Sequence, residues 1–163
     1  MVVVVQLSLI QSLYLLIESV GKITYLDFIK NINNLEIEEV GYCKTLFDSN
    51  LPNFDKAQSF RYITENNKLV TLEVLGINND ILQSRISIYY KSPILSFLSK
   101  VKNHYKILVN LLIDIYGNAF HLEINDINTL NYQNDKTVCY ISIIRQNNID
   151  IITINVGNRK YWG

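Results

Sequence analysis

The stretch SPILSFLSKVKNHYKILVNLLIDIYG, residues 92–117, decides the fold class that we predict for this chain. Ser92 is a favourable N-cap, Pro93 suits the first helical position, and Gly117 suits the C-terminal cap. Between these signals the apolar residues recur every three or four positions: Leu95, Leu98, Val101, Tyr105, Leu108, Leu112 and Ile115. The pattern predicts one long amphipathic helix at about residues 93–116, with lysines and asparagines along its polar side.

Apolar and polar residues alternate on both sides of this helix, which predicts two β-meanders. Their connections are too short for parallel crossovers, so the strands should pair antiparallel. The predicted strands lie within 35–44, 60–65, 68–75, 81–90, 120–124, 137–144 and 149–156. Residues 126–131 are predicted as a loop, and Asn78-Asn79-Asp80 and Arg145–Asn148 as turns.

Shorter helices are predicted ahead of the first meander. Residues 11–20 carry apolar side chains at helical spacing, and Thr24 followed by Asp27 is typical of a helix N-terminus. The predicted element order is therefore helix, meander, helix, meander, with one or more antiparallel sheets. We predict a single α+β domain over residues 1–163.

Composition and charge restrict the classes of function. A chain of 163 residues with 48% hydrophobic residues can bury one sizeable core. The formal net charge is zero, from 15 basic and 15 acidic residues. Such a balance disfavours non-specific binding to nucleic acid or attachment to a membrane through a polybasic segment. We therefore expect neither nucleic acid nor membrane among the partners.

The N-terminal apolar segment allows two interpretations. Val2–Ile17 is short for a membrane span, which needs about 20 apolar residues, and the first basic residue is Lys22, beyond the segment. The favoured interpretation is a structural one: a strand at Val2–Leu9 followed by a buried helix, in a cytoplasmic protein. The alternative is a signal peptide cleaved near Ser19-Val20-Gly21, which would make the protein exported.

The sequence contains little that points to catalysis. It has no glycine-rich phosphate loop and no zinc-protease motif, so we predict no cofactor, no metal site and no catalytic residues. Cys43, Cys139, His104 and His121 are scattered, which leaves only a cysteine–histidine dyad to consider. Cys139 lies in an alternating apolar run and is better interpreted as a core residue.

Two sets of residues are candidates for binding a protein partner. Glu36, Glu38 and Glu39 form the densest acidic run, which is either a patch for a basic partner or the solvated face of an edge strand. Tyrosine, tryptophan and arginine are favoured in protein interfaces, and the chain has 11 tyrosines. On this ground the second set is Tyr89, Arg159, Tyr161 and Trp162.

Part of the chain resembles a known family. The helix end Leu111–Ile115, the stop at Tyr116-Gly117 and the hairpin Thr137–Val156 are similar to the pattern of small bacterial immunity proteins that neutralise polymorphic toxins. The resemblance covers Leu108–Val156, about a third of the chain. The sequence departs from the pattern at Tyr140, where a tryptophan is often found, and no proline closely follows Gly117. The resemblance implies a stoichiometric inhibitor of a cognate toxin, and it transfers no site residues.

Two hypotheses of function follow. The first is a non-enzymatic protein-binding module, an immunity protein that covers the active surface of its toxin. The second is a small-molecule-binding or hydrolytic domain with a pocket between the long helix and the sheet, in which His121 and Cys139 would be needed. An exposed Ile149–Val156 edge would also allow a homodimer.

Overall fold

The structure of the chain is a computed structural model that describes residues 22–34, 38–42, 56–64, 68–91, 96–116, 123–126, 129–133, 136–147 and 149–158, with Gln11, Tyr14, Leu15, Ile17 and Val20. Its helices are α1 (Tyr25–Asn34) and α2 (Ser96–Tyr116). Its strands are β1 (Glu38–Tyr42), β2 (Lys56–Ile63), β3 (Leu69–Ile77), β4 (Asp80–Lys91), β5 (Glu123–Asp126), β6 (Thr129–Gln133), β7 (Thr137–Gln146) and β8 (Ile149–Asn158). The predicted α+β class with an antiparallel sheet is confirmed.

The described strands form one antiparallel sheet in the order β1-β2-β3-β4-β8-β7-β6-β5. β4 and β8 therefore lie at the centre, where they pair along nine residue pairs. The prediction of an exposed Ile149–Val156 edge is wrong, because β8 is flanked by β4 on one side and β7 on the other. The pairing of β4 with β8 is a long-range contact that the local sequence pattern does not encode.

One predicted loop is also a strand. Residues 126–131 were predicted to be irregular, whereas Thr129–Gln133 is β6 and pairs with both β5 and β7. A strand of five residues carries too few alternations to be recognised, and its conformation is stabilised by the neighbours on either side.

The edges of the described sheet are short and irregular. β1 has five residues and β5 has four, and each contains a shift in register relative to its neighbour. Short, bulged edge strands offer few unpaired backbone groups in a continuous line. Both edges therefore lack a long flat template for pairing with another strand.

Asparagines in the left-handed conformation close two of the hairpins, as the sequence predicted. Asn78 has φ 56° in the two-residue connection between Ile77 and Asp80, and Asn147 has φ 50° after β7. Asparagine adopts positive φ more readily than other residues with a side chain. The β3–β4 turn also holds α1, since the Asn79 carbonyl and Oδ1 accept hydrogen bonds from the backbone N–H groups of Tyr25 and Leu26.

The predicted start of α1 is confirmed. Thr24 Oγ1 accepts a hydrogen bond of 3.2 Å from the Asp27 backbone N–H, and the Thr24 carbonyl accepts one of 3.0 Å from Phe28 N–H. Both bonds satisfy donors that a helix N-terminus leaves without an intrahelical partner.

Both helices pack on the same face of the sheet, which we call the inner face. α1 contributes Phe28 and Ile32 to the core, and α2 contributes Val101, Leu108 and Leu112. These side chains join a buried cluster from the strands that includes Phe60, Tyr62, Leu72, Ile86, Ile88, Ile152 and Ile154. Neither of the described helices is long and apolar enough to cross a membrane.

Candidate functional site

The face of the sheet opposite the helices is called the outer face. Its residues can be identified because side chains alternate between the two faces along each strand. Ile88, Tyr90 and Ile152 belong to the core beneath the helices. Their sequence neighbours Tyr89 and Ile151 therefore point to the outer face. The two residues are cross-strand partners in the β4–β8 pair.

Five apolar residues line up across the outer face in register. Ile63 pairs with Leu69, Leu69 with Tyr89, Tyr89 with Ile151, and Ile151 with Ile144. We call these five residues the apolar row. It crosses five strands, and four strand spacings of about 4.8 Å give it a length of about 19 Å.

The apolar row is partly open to solvent. None of its members belongs to the buried core cluster, and all of them retain exposure. Ile144 is 45% exposed, which makes it one of the most exposed large apolar residues described. The other four members are half-buried. A contiguous line of partly exposed apolar side chains on one face is a feature of binding surfaces, whereas isolated ones are common everywhere.

Polar residues occupy the two rows beside the apolar row. The nearer row has mostly short side chains and contains Arg61, Thr71, Ser87, Thr153 and Ser142. The next row contains Ser59, Glu73, Arg85, Asn155 and Tyr140. In it Arg85 donates to Glu73 Oε1 through Nε at 3.1 Å and Nη2 at 3.0 Å. Ser87 and Thr153, at the centre of the nearer row, are each only 6% exposed, so little of that row is open to solvent.

The outer face is buried at the end of the strands that lies away from the apolar row. Leu75, Gln83 and Val138 are 2%, 0% and 1% exposed, and they lie in one cross-strand row with Gly157. Both polar atoms of the Gln83 amide are buried, and neither has a hydrogen-bond partner among the described residues. The accessible part of the outer face therefore lies toward the apolar row.

A second polar cluster lies on the inner face, where α2 covers the end of β4. The Tyr90 hydroxyl is hydrogen-bonded to His104 Nδ1 at 3.2 Å, and the two rings meet edge to face at 5.5 Å between centroids. Lys68 Nζ lies 4.9 Å from the centroid of the Tyr90 ring. Burial raises the pKa of the Tyr90 hydroxyl above its ordinary value, so this group stays protonated at neutral pH.

Asp150 adds a buried carboxylate to this cluster. It is the cross-strand partner of Tyr90, so both side chains lie on the inner face. Asp150 is 3% exposed, and its Oδ2 has no hydrogen-bond partner in the part of the chain that the structure describes. A buried carboxylate oxygen without a partner is costly, and such groups are uncommon outside functional sites.

Of the predicted partner-binding residues, the structure describes Glu38, Glu39 and Tyr89, and it does not bring the two glutamates to the tyrosine. Tyr89 is the central member of the apolar row. Glu38 and Glu39 lie in β1 at the edge of the sheet, opposite Arg61 and Phe60 of β2 and three strands away from Tyr89. Glu36, Arg159, Tyr161 and Trp162 lie outside the described residues. Sequence reasoning missed the other four members of the apolar row.

The described part of the cysteine–histidine dyad is not assembled. Cys139 of β7 lies in one cross-strand row with Ser84 of β4. Ser84 is six residues along β4 from Tyr90, which contacts His104. Six residues of strand correspond to about 20 Å. Cys139 is buried, and burial raises its pKa to about 12, although the Tyr116 hydroxyl partly opposes the shift. The thiol is therefore a core residue, as predicted. Cys43 and His121 lie outside the described residues.

Within the described residues no group of three or more histidine, cysteine, aspartate or glutamate side chains is placed to hold a metal ion. Comparison of the chain with protein-family models, curated proteins and solved structures found no match.

Proposed function

We propose that this chain is a non-enzymatic protein-binding module, an immunity protein that neutralises a cognate bacterial toxin by covering its active surface. The observation that carries the proposal is the apolar row, because it places five partly exposed apolar side chains in one line on a sheet face. Soluble proteins seldom leave such a line open unless a partner covers it.

The arrangement of the helices supports this choice of surface. In the proposal, α2 is the long amphipathic helix predicted at about 93–116, and the chain follows the order helix, meander, helix, meander. Val101 and Leu112 bury against the inner face while Lys102, Lys106 and Asn110 stay exposed. The two helices thus cover the inner face of the sheet, and they leave the apolar row on the outer face uncovered.

Tyr89 is the expected centre of the interface. Tyrosine brings a large contact area for a small loss of side-chain freedom, and interface energy concentrates on a few central residues. Glu36, Glu38 and Glu39 stay a separate prediction of a contact with a basic toxin, and reversing all three charges without loss of affinity would remove them from the proposal. Arg159, Tyr161 and Trp162 stay predictions of the same kind.

The experiment is purification of the tagged chain from its own cells, followed by native mass spectrometry. We expect one protein partner in a fixed ratio and inhibition of that partner's toxic activity at the same ratio. Ile144→Asp should abolish the complex by placing a charge in the apolar row. Ile107→Asp on α2 is the matched control, since Ile107 is 57% exposed and lies away from the outer face. A bare wild-type chain, or full binding by Ile144→Asp, would contradict the proposal.

The second candidate is a small-molecule-binding or hydrolytic domain with its site between the long helix and the sheet. The observation in its favour is the inner-face cluster of Tyr90, His104 and Asp150, whose buried Oδ2 has no partner among the described residues. If it is correct, a metabolite that raises the melting temperature of the wild-type chain should have no effect on Asp150→Asn. A partner complex that forms equally well with Asp150→Asn supports the first candidate instead.

A further inference from the structure

The strands of the described sheet have an approximate two-fold symmetry. Reading inward from the two edges, β1 to β4 follow in chain order from one side and β5 to β8 from the other. The register of each edge strand shifts after its second residue pair. The turns correspond as well, because Asn78 directly follows β3, Asn147 directly follows β7, and both have positive φ. Positions counted from these two turns can therefore be compared directly.

This symmetry provides an internal control for Asp150. Asp150 is the second residue of β8, and the second residue of β4 is Ile81. Their cross-strand partners correspond too, since Asp150 is opposite Arg145 of β7 and Ile81 is opposite Gly76 of β3. Ile81 is 1% exposed in the apolar core, and Asp150 is 3% exposed. The fold thus accepts an apolar side chain at this position, so the architecture does not require a buried carboxylate there.

Asp150 lies between a buried tyrosine and an exposed arginine. Tyr90, Asp150 and Arg145 are successive cross-strand partners on the inner face, and we call these three residues the inner polar row. The Tyr90 hydroxyl is engaged with His104 Nδ1. Among the described residues Asp150 Oδ2 has no hydrogen-bond partner, and no ion pair engages the exposed Arg145. Burial therefore ends within one strand spacing, about 4.8 Å, of Asp150.

We propose that the inner polar row binds a small zwitterion, an α-amino acid. The ammonium group of the ligand would donate to Asp150 Oδ2, and its carboxylate would accept hydrogen bonds from the Arg145 guanidinium. Both contacts are charge-assisted, and arginine can hold a carboxylate through two parallel hydrogen bonds. An α-amino acid carries the two groups on one carbon atom, which suits two side chains that are direct cross-strand neighbours.

A ligand with a single charge fits the inner polar row less well. An anion would lie beside the Asp150 carboxylate, and a cation would lie beside the Arg145 guanidinium, so each would be repelled by one of the two groups. A direct ion pair between Arg145 and Asp150 is the competing arrangement. Removing one partner of a buried ion pair destabilises a protein, whereas replacing an unpaired buried carboxylate with an apolar side chain stabilises it.

The inner polar row and the apolar row lie on opposite faces of the sheet. The inference therefore goes beyond the proposed function and does not depend on it. Ile144→Asp tests the proposed function at the apolar row, and substitutions of Asp150 and Arg145 test the ligand site on the inner face.

The first experiment compares melting temperatures of the full chain without ligand. Asp150→Ile places at this position the residue type that the fold uses at Ile81, and we expect it to raise the melting temperature by a few degrees. Asp150→Asn, which keeps the shape of the side chain, should melt no lower than the wild type. A lower melting temperature in both variants would overturn the inference, because the carboxylate would then support the fold.

The second experiment is isothermal titration calorimetry of the full chain with each of the twenty common amino acids as the probe. We expect at least one of them to bind the wild type, and Asp150→Asn to weaken its binding at least about tenfold. Arg145→Gln should weaken it severalfold. Arg61→Gln, the same change on the outer face, is the matched control and should leave the affinity within about twofold.

The ligand's own charges provide a further test. The N-acetyl derivative and the methyl ester of the amino acid that binds should each bind more weakly, because each removes one of the two charges. The inference is overturned if none of the amino acids binds at millimolar concentration, if Asp150→Asn binds with wild-type affinity, or if both derivatives bind as well as the free amino acid.

Discussion

Ile151 and Ile152 provide a direct test of the two faces of the sheet. They are adjacent residues of the same type in the central strand β8, and their side chains point in opposite directions. Ile152 is 0% exposed in the core, whereas Ile151 is partly exposed in the apolar row. Truncating each to alanine removes the same atoms from two different environments.

The expected magnitudes differ severalfold. Ile152→Ala leaves a cavity beneath the helices, and such truncations cost about 2–5 kcal/mol of unfolding free energy. Ile151→Ala removes contacts from a surface that is already partly hydrated, so its cost should stay below about 1 kcal/mol. With a urea m-value of about 2 kcal/mol per molar, Ile152→Ala should lower the unfolding midpoint by about 1–2.5 M, and Ile151→Ala by less than about 0.5 M.

The assay is urea unfolding followed by far-ultraviolet circular dichroism, with partner binding measured on the same samples. We expect Ile151→Ala to lose less than about 1 kcal/mol of unfolding free energy and to bind the partner more weakly. If Ile151→Ala lowers the midpoint as much as Ile152→Ala does, the apolar row is part of a core and cannot be a docking surface.

Three further predictions concern stability. Thr24→Ala should cost about 1 kcal/mol in urea unfolding, because Thr24 Oγ1 caps α1, and Thr24→Ser should restore most of it. Gly76→Ala should lower the melting temperature by several degrees, since a Cβ there would collide with the Asp80 carbonyl oxygen at the β3–β4 bulge; an unchanged melting temperature would refute this reasoning. The pKa of Cys139 is raised from 9.0 to about 12, so the folded state keeps a proton that the unfolded state releases. Stability should therefore fall as pH rises from about 9 toward 12, and Cys139→Ala should reduce that slope in unfolding measured across the range.

Local signals in the sequence predicted the individual elements well. The Thr24–Asp27 cap, the asparagine turns at Asn78 and Asn147, and the hairpin of β7 and β8 all depend on neighbours within a few positions. The central position of β8 depends instead on its pairing with β4, whose paired residues are 58 to 74 positions away in the chain. No local pattern indicates which strand edges will meet.

The candidate site, too, could be predicted only in part from local sequence patterns. Tyr89 was recognised from its residue type alone, because tyrosine is frequent in interfaces. Ile63, Leu69, Ile144 and Ile151 have no feature that distinguishes them from core residues in the sequence. They form a row only because four separate strand pairs have the right register. A shift of one residue in any pair would have turned a member of the row toward the opposite face.

The central position of β8 has a consequence for how the protein is made. When β1 to β4 have left the ribosome, β4 has a partner on one side only, and the strand that pairs with its other side is made more than 50 residues later. During that interval β4, the longest of the described strands, has one edge open to other nascent chains. The mature sheet hides this edge between two neighbours, so its most vulnerable surface exists only during synthesis.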